Sequence, residues 1–351
     1  MAAFLICLVI IAAVLQSNMA TWALRALDCS LKADTYLLEP GETSVITFTV
    51  INHSRLPVLF LKASFTLPPN AEVLEGQPGE VINFERYTRY TYSCYLMPRQ
   101  QLAIPVKYRI PSRSVCNFGG CTLYTGDFLG LKEESASYPA SATVVVPPAR
   151  LDNTEAAEIT GGLMGDISVR RFIHQDPVLT AGFREYSGRE PMKDISWPRS
   201  LASGQLMVRQ FDFTSEQKVT ILLSVSGGDE AQLERCFSLT RTVCDWFEKR
   251  GVPYSLMSNG DLYSTIGRIN SLPSGLGHMH LDLIKEGLGR ATYLSRFSFD
   301  ELIRLASLIN DVPETYLVIA PDPANEIRRS ADILTMRTGA PVQVLSGEAA
   351  S

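Results

Sequence analysis

Polar and apolar positions change rhythm several times along the chain. From Ala2 to Leu15 every residue is apolar, and the run continues through Met19, Ala20, Trp22, Ala23 and Leu24 before Arg25. About 20 residues of helix cross a hydrocarbon core, so residues 1–26 are read as a transmembrane anchor. Trp22 falls where indole rings gather at a membrane interface. A secretory signal peptide needs a positive stretch ahead of its apolar run, and no Lys or Arg precedes this one. Arg25 and Lys32 follow it, which places the soluble domains on the cytoplasmic side of the cell membrane.

The next stretch alternates with a period of two. Val45–Val50 sets Ile46, Phe48 and Val50 on one face, between turns at Glu39–Glu42 and Asn52–Arg55. Val58–Leu67, Tyr87–Leu96, Leu102–Ile110 and Ala142–Val146 are further strands, rich in β-branched and aromatic residues. Strands at this spacing predict an antiparallel β-sandwich over residues 29–147. Pro147 and Pro148 close it. Residues 148–181 keep no sustained period and are read as a linker.

Beyond the linker, strand and helix alternate. Lys218–Ser224 is a near-continuous apolar run, as in a buried parallel strand. Leu233, Cys236, Phe237, Val243, Cys244 and Phe247 then mark one face of a helix that Gly251 stops. Pro253–Met257 is a strand and Ser298 caps a helix carrying Leu302, Leu305 and Ile309. Tyr316–Ala320 is a strand, residues 324–338 a helix closed by Gly339 and Pro341, and Val342–Leu345 the last strand. Repeated βα units predict a mostly parallel, Rossmann-like sheet over residues 219–347. The expected class is a multidomain chain: a transmembrane helix, an antiparallel β-sandwich, then an α/β domain.

Composition narrows the function. Hydrophobic residues make up 46% and charged residues 20%, so the body is globular. A net charge of −5 and the lack of a basic stripe argue against nucleic acid. Seven cysteines are scattered without a Cys-x-x-Cys, which fits a reducing compartment; Cys116 and Cys121 are the pair that an oxidising one could join.

Residues 182–218 carry the most specific pattern. Gly182, Arg184, Tyr186, Lys193, Ile195 and Trp197 fall at the spacing of a run found in the bacterial "domain of unknown function 58" proteins, which this segment resembles. Arg189 stands where that family commonly has glycine, and Glu190 where it has aspartate. Gly126–Leu131 is similar to another element of the family. The resemblance implies a von Willebrand A-like α/β domain and a role beside MoxR-type AAA+ ATPases at membranes. It also points to Arg184, Tyr186, Arg189, Glu190, Lys193, Trp197 and Arg209 as candidate partner-binding residues, because Arg and aromatics concentrate at binding hot spots. Large apolar side chains are mostly buried, so Ile195 and Trp197 are expected to plug onto the α/β core, the alternative being direct contact with a partner.

Such a domain often holds a divalent cation through D-x-S-x-S after its first strand. Here that stretch reads Ser224-Val225-Ser226-Gly227-Gly228, with Ser224 in place of the aspartate and Gly228 in place of the last serine. Loss of the carboxylate removes the main charge for a hard cation, so no metal and no cofactor are expected. Ser226 lacks the G-x-S-x-G elbow, His278 and His280 read as a polar loop, and no phosphate-binding glycine loop occurs. The reading is a non-enzymatic, membrane-anchored adaptor that binds a protein partner, an AAA+ ATPase of the MoxR type. The alternative is an outward-facing cell-envelope scaffold or adhesion protein, which a Cys116–Cys121 disulfide would favour.

Overall fold

The computed structural model describes residues 18–126, 132–152, 154–157, 159, 180–188, 191–211, 218–264, 267–308, 315–322 and 325–347. The chain divides into two compact units: residues 1–149 with Lys285–Ala291, and residues 150–284 with 292–351.

Unit 1 is built from β1 (Leu27–Ala33), β2 (Thr43–Asn52), β3 (Val58–Leu67), β4 (Glu72–Val73), β5 (Glu80–Asn83), β6 (Thr88–Leu96), β7 (Gln101–Arg109), β8 (Ser114–Gly126), β9 (Glu133–Tyr138) and β10 (Ala142–Val146). One sheet runs β1-β2-β7-β4; the other runs β10-β8-β3-β6-β5, with β9 also beside β8. All these pairings are antiparallel. The alternation along β2 buries Ile46, Phe48 and Val50. From the facing sheet Phe65 meets Phe48 at 5.3 Å between ring centroids, and Tyr108 meets Phe118 at 4.9 Å. Each such pair contributes about 0.5–1.5 kcal/mol beyond its buried area.

β8 shows how a strand can keep one face inward across a break in phase. Cys116 and Phe118 point into the core, and so do Cys121 and Leu123, although 118 and 121 differ by an odd number. A bulge at Gly119 and Gly120 takes up the extra residue, with Gly120 at φ 58° and no room for a Cβ against Thr66 Oγ1. Both Cys116 and Cys121 are buried free thiols, so the pairing weighed for them is not made.

Unit 2 holds a two-stranded antiparallel ribbon of β11 (Thr180–Glu185) and β12 (Met207–Phe211), with α1 (Trp197–Ser203) between them in sequence. Its main sheet comprises β13 (Val219–Leu223), β14 (Tyr254–Ser264), β15 (Gly267–Gly275), β16 (Thr315–Ala320) and β17 (Val342–Ser346), in the order β15-β14-β13-β16-β17. The helices are α2 (Glu230–Arg250), α3 (His278–Arg290, of which Lys285 onward is counted with unit 1), α4 (Phe299–Ser307) and α5 (Asn325–Thr338). Every position of β13 and β16 is buried, as in strands covered on both faces.

Three expectations are corrected here. Among the described residues no helix is long and apolar enough to cross a membrane, so the anchor over residues 1–26 and the cell-membrane location are not upheld. Residues 1–17 lie outside the described residues. Residues 18–26 form a short helix whose Leu24 joins the sandwich core and whose Leu24 carbonyl accepts the Tyr138 hydroxyl at 2.7 Å. Leu24, assigned to lipid, is thus packed against protein.

The third correction concerns the α/β class. Of the described residues 43% are strand and 29% helix, the strand pairing is predominantly antiparallel, and among them no von Willebrand A-like, Rossmann-like domain is apparent. In unit 2 the βα repeat fails after β14, where the chain turns straight back as the antiparallel strand β15. A parallel crossover needs a helix at that point, and an adjacent antiparallel strand does not. His278 and His280, read as loop, instead open α3.

The stretch read as a linker is also partly fastened. Arg150 pairs with Asp245 at 2.6 Å, Leu151 N–H donates to Thr242 Oγ1 at 3.0 Å, and Arg235 bonds Glu155. Successive residues of the segment therefore meet α2 in reverse order, and the segment runs antiparallel along that helix.

Candidate functional site

The motif residues gather on β11, β12 and α1. Tyr186 N–H donates to Leu206 C=O at 2.8 Å, extending the ribbon one residue past β11. Ile195 is buried and bridges Val208, while Ser196 N–H donates to Met207 C=O at 2.8 Å. Pro198 lies in the first turn of α1, where its missing N–H costs nothing. Gly204, at φ 74°, ends the helix in the left-handed conformation that favours glycine. The Ser200 hydroxyl ties helix to ribbon: it donates to Ser196 C=O at 2.9 Å and accepts from Met207 N–H at 2.8 Å.

This well-bonded backbone presents large apolar side chains outward. Trp197 is 57% exposed and Leu201, one helical turn on, is 85% exposed. Of the two residues expected to be buried, Ile195 is buried beside β12 and Trp197 is exposed. Met192, Leu206 and Phe183 are exposed as well, with the Arg199 guanidinium 5.1 Å from the centre of the Phe183 ring. Arg184, Lys193 and Arg209 lie exposed on the same small module, and Tyr186 is half-buried. Arg189 and Glu190 lie outside the described residues, as do 127–131 of the second family-like element. Leu201 carries no motif signal; only its place four residues after Trp197 could have raised it.

The degenerate cation positions form a different kind of site. Ser224 is buried at the end of β13, and Ser226 follows in the loop to α2. Asn259, fully buried on β14, reaches across: its Oδ1 accepts from Val225 N–H at 2.8 Å, and its Nδ2 donates to Ser226 Oγ at 2.6 Å and to Phe297 C=O at 3.3 Å. Ser226 N–H in turn donates to Ser224 Oγ at 3.3 Å. Gly228, at φ 78°, has Pro321 so close that a Cβ would lie 2.6 Å from it. Asp229 caps α2 reciprocally with Gln232. Among the described residues no three His, Cys, Asp or Glu side chains come together as a metal site. An amide, not a carboxylate, organises this loop.

His280 is likewise occupied. Its Nε2 lies 2.9 Å from Tyr254 C=O, and its ring meets that of Tyr254 edge-on. Burial holds its pKa below the ordinary histidine value.

No family model matches the chain, and no curated protein matches it. Solved structures similar to it include a cohesin module from a Clostridium perfringens family 33 glycoside hydrolase, at 12% identity and TM-score 0.26, covering 34% of this chain and 96% of that one. A type II cohesin domain from the Acetivibrio cellulolyticus cellulosome matches at 11% identity and TM-score 0.26, covering 34% and 95%. A CARDB domain from Pyrococcus furiosus, solved with di-metal ions, matches at 10% identity and TM-score 0.23, covering 34% and 91%. Similarity this slight carries no functional information.

Proposed function

We propose that the chain is a non-enzymatic adaptor whose β11–α1–β12 module binds a protein, and that the protein is an AAA+ ATPase of the MoxR type. The observation that carries the reading is the outward pair Trp197 and Leu201 on a short helix tied to β12 through Ser196 and Ser200. Apolar side chains carried on an ordered backbone lose less entropy on docking, and exposed aromatic and apolar residues with arginines on the same module have the composition of a hot spot. Arg184, Arg199, Lys193 and Arg209 suit a partner with acidic residues around an apolar socket. The partner's identity is supported by the resemblance of residues 182–197 to the family described above. The non-enzymatic reading is supported by Ser226 and His280, whose reactive atoms are already engaged within the fold.

The test is direct binding between the purified full chain and a MoxR-type ATPase encoded in the same genome. A Trp197→Ala/Leu201→Ala double variant is expected to weaken binding by about 100-fold or more, since hot-spot residues each contribute ~2 kcal/mol or more. Equal affinity of variant and wild type, or no binding by the wild-type chain, removes the reading.

A further inference from the structure

The strand edges of this protein are not finished alike. In unit 1, β4 and β5 are short, and β9 carries Glu133 and Glu134, paired with Lys62 and Lys132. In unit 2, β15 contains Arg268 and Pro273 and slips register against β14. Short length, charge, proline and irregular register are the means by which edges are kept from pairing with another strand. β17 lies at the other end of that sheet, and its sequence, Val342-Gln343-Val344-Leu345-Ser346, has no charge and no proline.

The backbone shows which groups face outward. Pro341 C=O accepts from Tyr316 N–H at 2.9 Å, and Gly347 N–H donates to Ala320 C=O at 2.8 Å. Successive residues of a strand turn their N–H and C=O to opposite neighbours. Pro341, Gln343, Leu345 and Gly347 therefore face β16, whereas Val342 and Val344 turn theirs to the open edge. Among the described residues no strand pairs there. A groove of about 430 Å³ runs between β17 and α5, lined by Val342 and Val344 on one side and by Arg328, Asp332 and Thr335 on the other. Arg328, Asp332 and Met336 recur every four residues, and Met336 is 84% exposed.

We propose that β17 pairs with β17 of a second copy of this chain, antiparallel about a two-fold axis at Val344. Symmetry sets the direction, because a two-fold axis normal to a sheet reverses the strand it copies. Val344 N–H then donates to Val344 C=O of the second copy and receives the same bond in return. Val342 falls opposite Ser346. The two α5 helices also run in opposite directions, which brings Arg328 of one copy toward Asp332 of the other. A surface that meets itself must be complementary to itself, and a cation and an anion one turn apart supply that.

This inference is independent of the binding partner and is tested without it. Light scattering on the full chain at micromolar concentration is expected to give twice the chain mass. V344P removes the central N–H without touching a bond to β16 and is expected to give a monomer. Should V344P fail to fold, charge reversal decides: R328D and D332R are each expected to raise the dimer dissociation constant about tenfold, and the double reversal to restore it. A monomeric wild-type chain overturns the proposal. So does a dimer that neither V344P nor the single reversals weaken, or one in which the double reversal fails to restore what the single reversals lose.

Discussion

The sandwich and the β11–α1–β12 module use the same kinds of residue to opposite ends. In the sandwich, Phe48, Phe65 and Tyr90 are removed from water and touch one another between the sheets. In the module, Trp197, Leu201 and Met192 remain outside while serine and backbone bonds hold the chain in shape. Burial of apolar area stabilises a fold, and exposure of it stabilises nothing until something covers it. The difference separates residues that hold the protein together from residues available to a partner.

Substitutions test that contrast. Phe65→Ala is expected to destabilise unit 1 by about 3–5 kcal/mol, through lost burial and the cavity left behind; Trp197→Ala should stay within about 1 kcal/mol in the same chemical denaturation experiment. Comparable losses would erase the contrast. Next comes a polar group used as core: Asn259→Ala leaves Val225 N–H buried without its acceptor and is expected to cost about 1–3 kcal/mol. Near-neutral unfolding would mean that the loop after β13 does not depend on that amide.

The smallest effect is a pH dependence. Because burial lowers the His280 pKa, the folded chain binds fewer protons than the unfolded one below about pH 6.5, so stability drops as pH falls through that range. His280→Gln removes the titration. Its melting temperature should fall less than that of the wild type on acidification from about pH 7 to about pH 5. Parallel slopes would place the acid sensitivity elsewhere.

What the sequence made legible were features with a local signature. The alternation at Val45–Val50 maps onto β2, and the apolar stripe from Leu233 to Phe247 is the buried face of α2. Ser298 accepts from Glu301 N–H at the start of α4. Features set by distant contacts were not legible. Gly119 and Gly120 look like a turn but are a bulge inside β8, visible only once Thr66 is beside them. Ser258-Asn259-Gly260 reads as the end of a strand, yet β14 continues through it because Asn259 finds its partners on the neighbouring loop. Residues 150–155 show no period of their own because their partners Asp245, Thr242 and Arg235 lie on α2. At the candidate site the habit that large aromatics are buried pointed Trp197 the wrong way.

If Trp197 and Leu201 serve binding and not folding, the two roles separate when both quantities are measured on one protein. Melting temperature and ATPase affinity are measured for the Trp197→Ala/Leu201→Ala chain beside the wild type. A nearly unchanged melting temperature with binding largely lost is expected. Retained binding, or a fall in melting temperature as large as that of Phe65→Ala, would contradict that separation of roles.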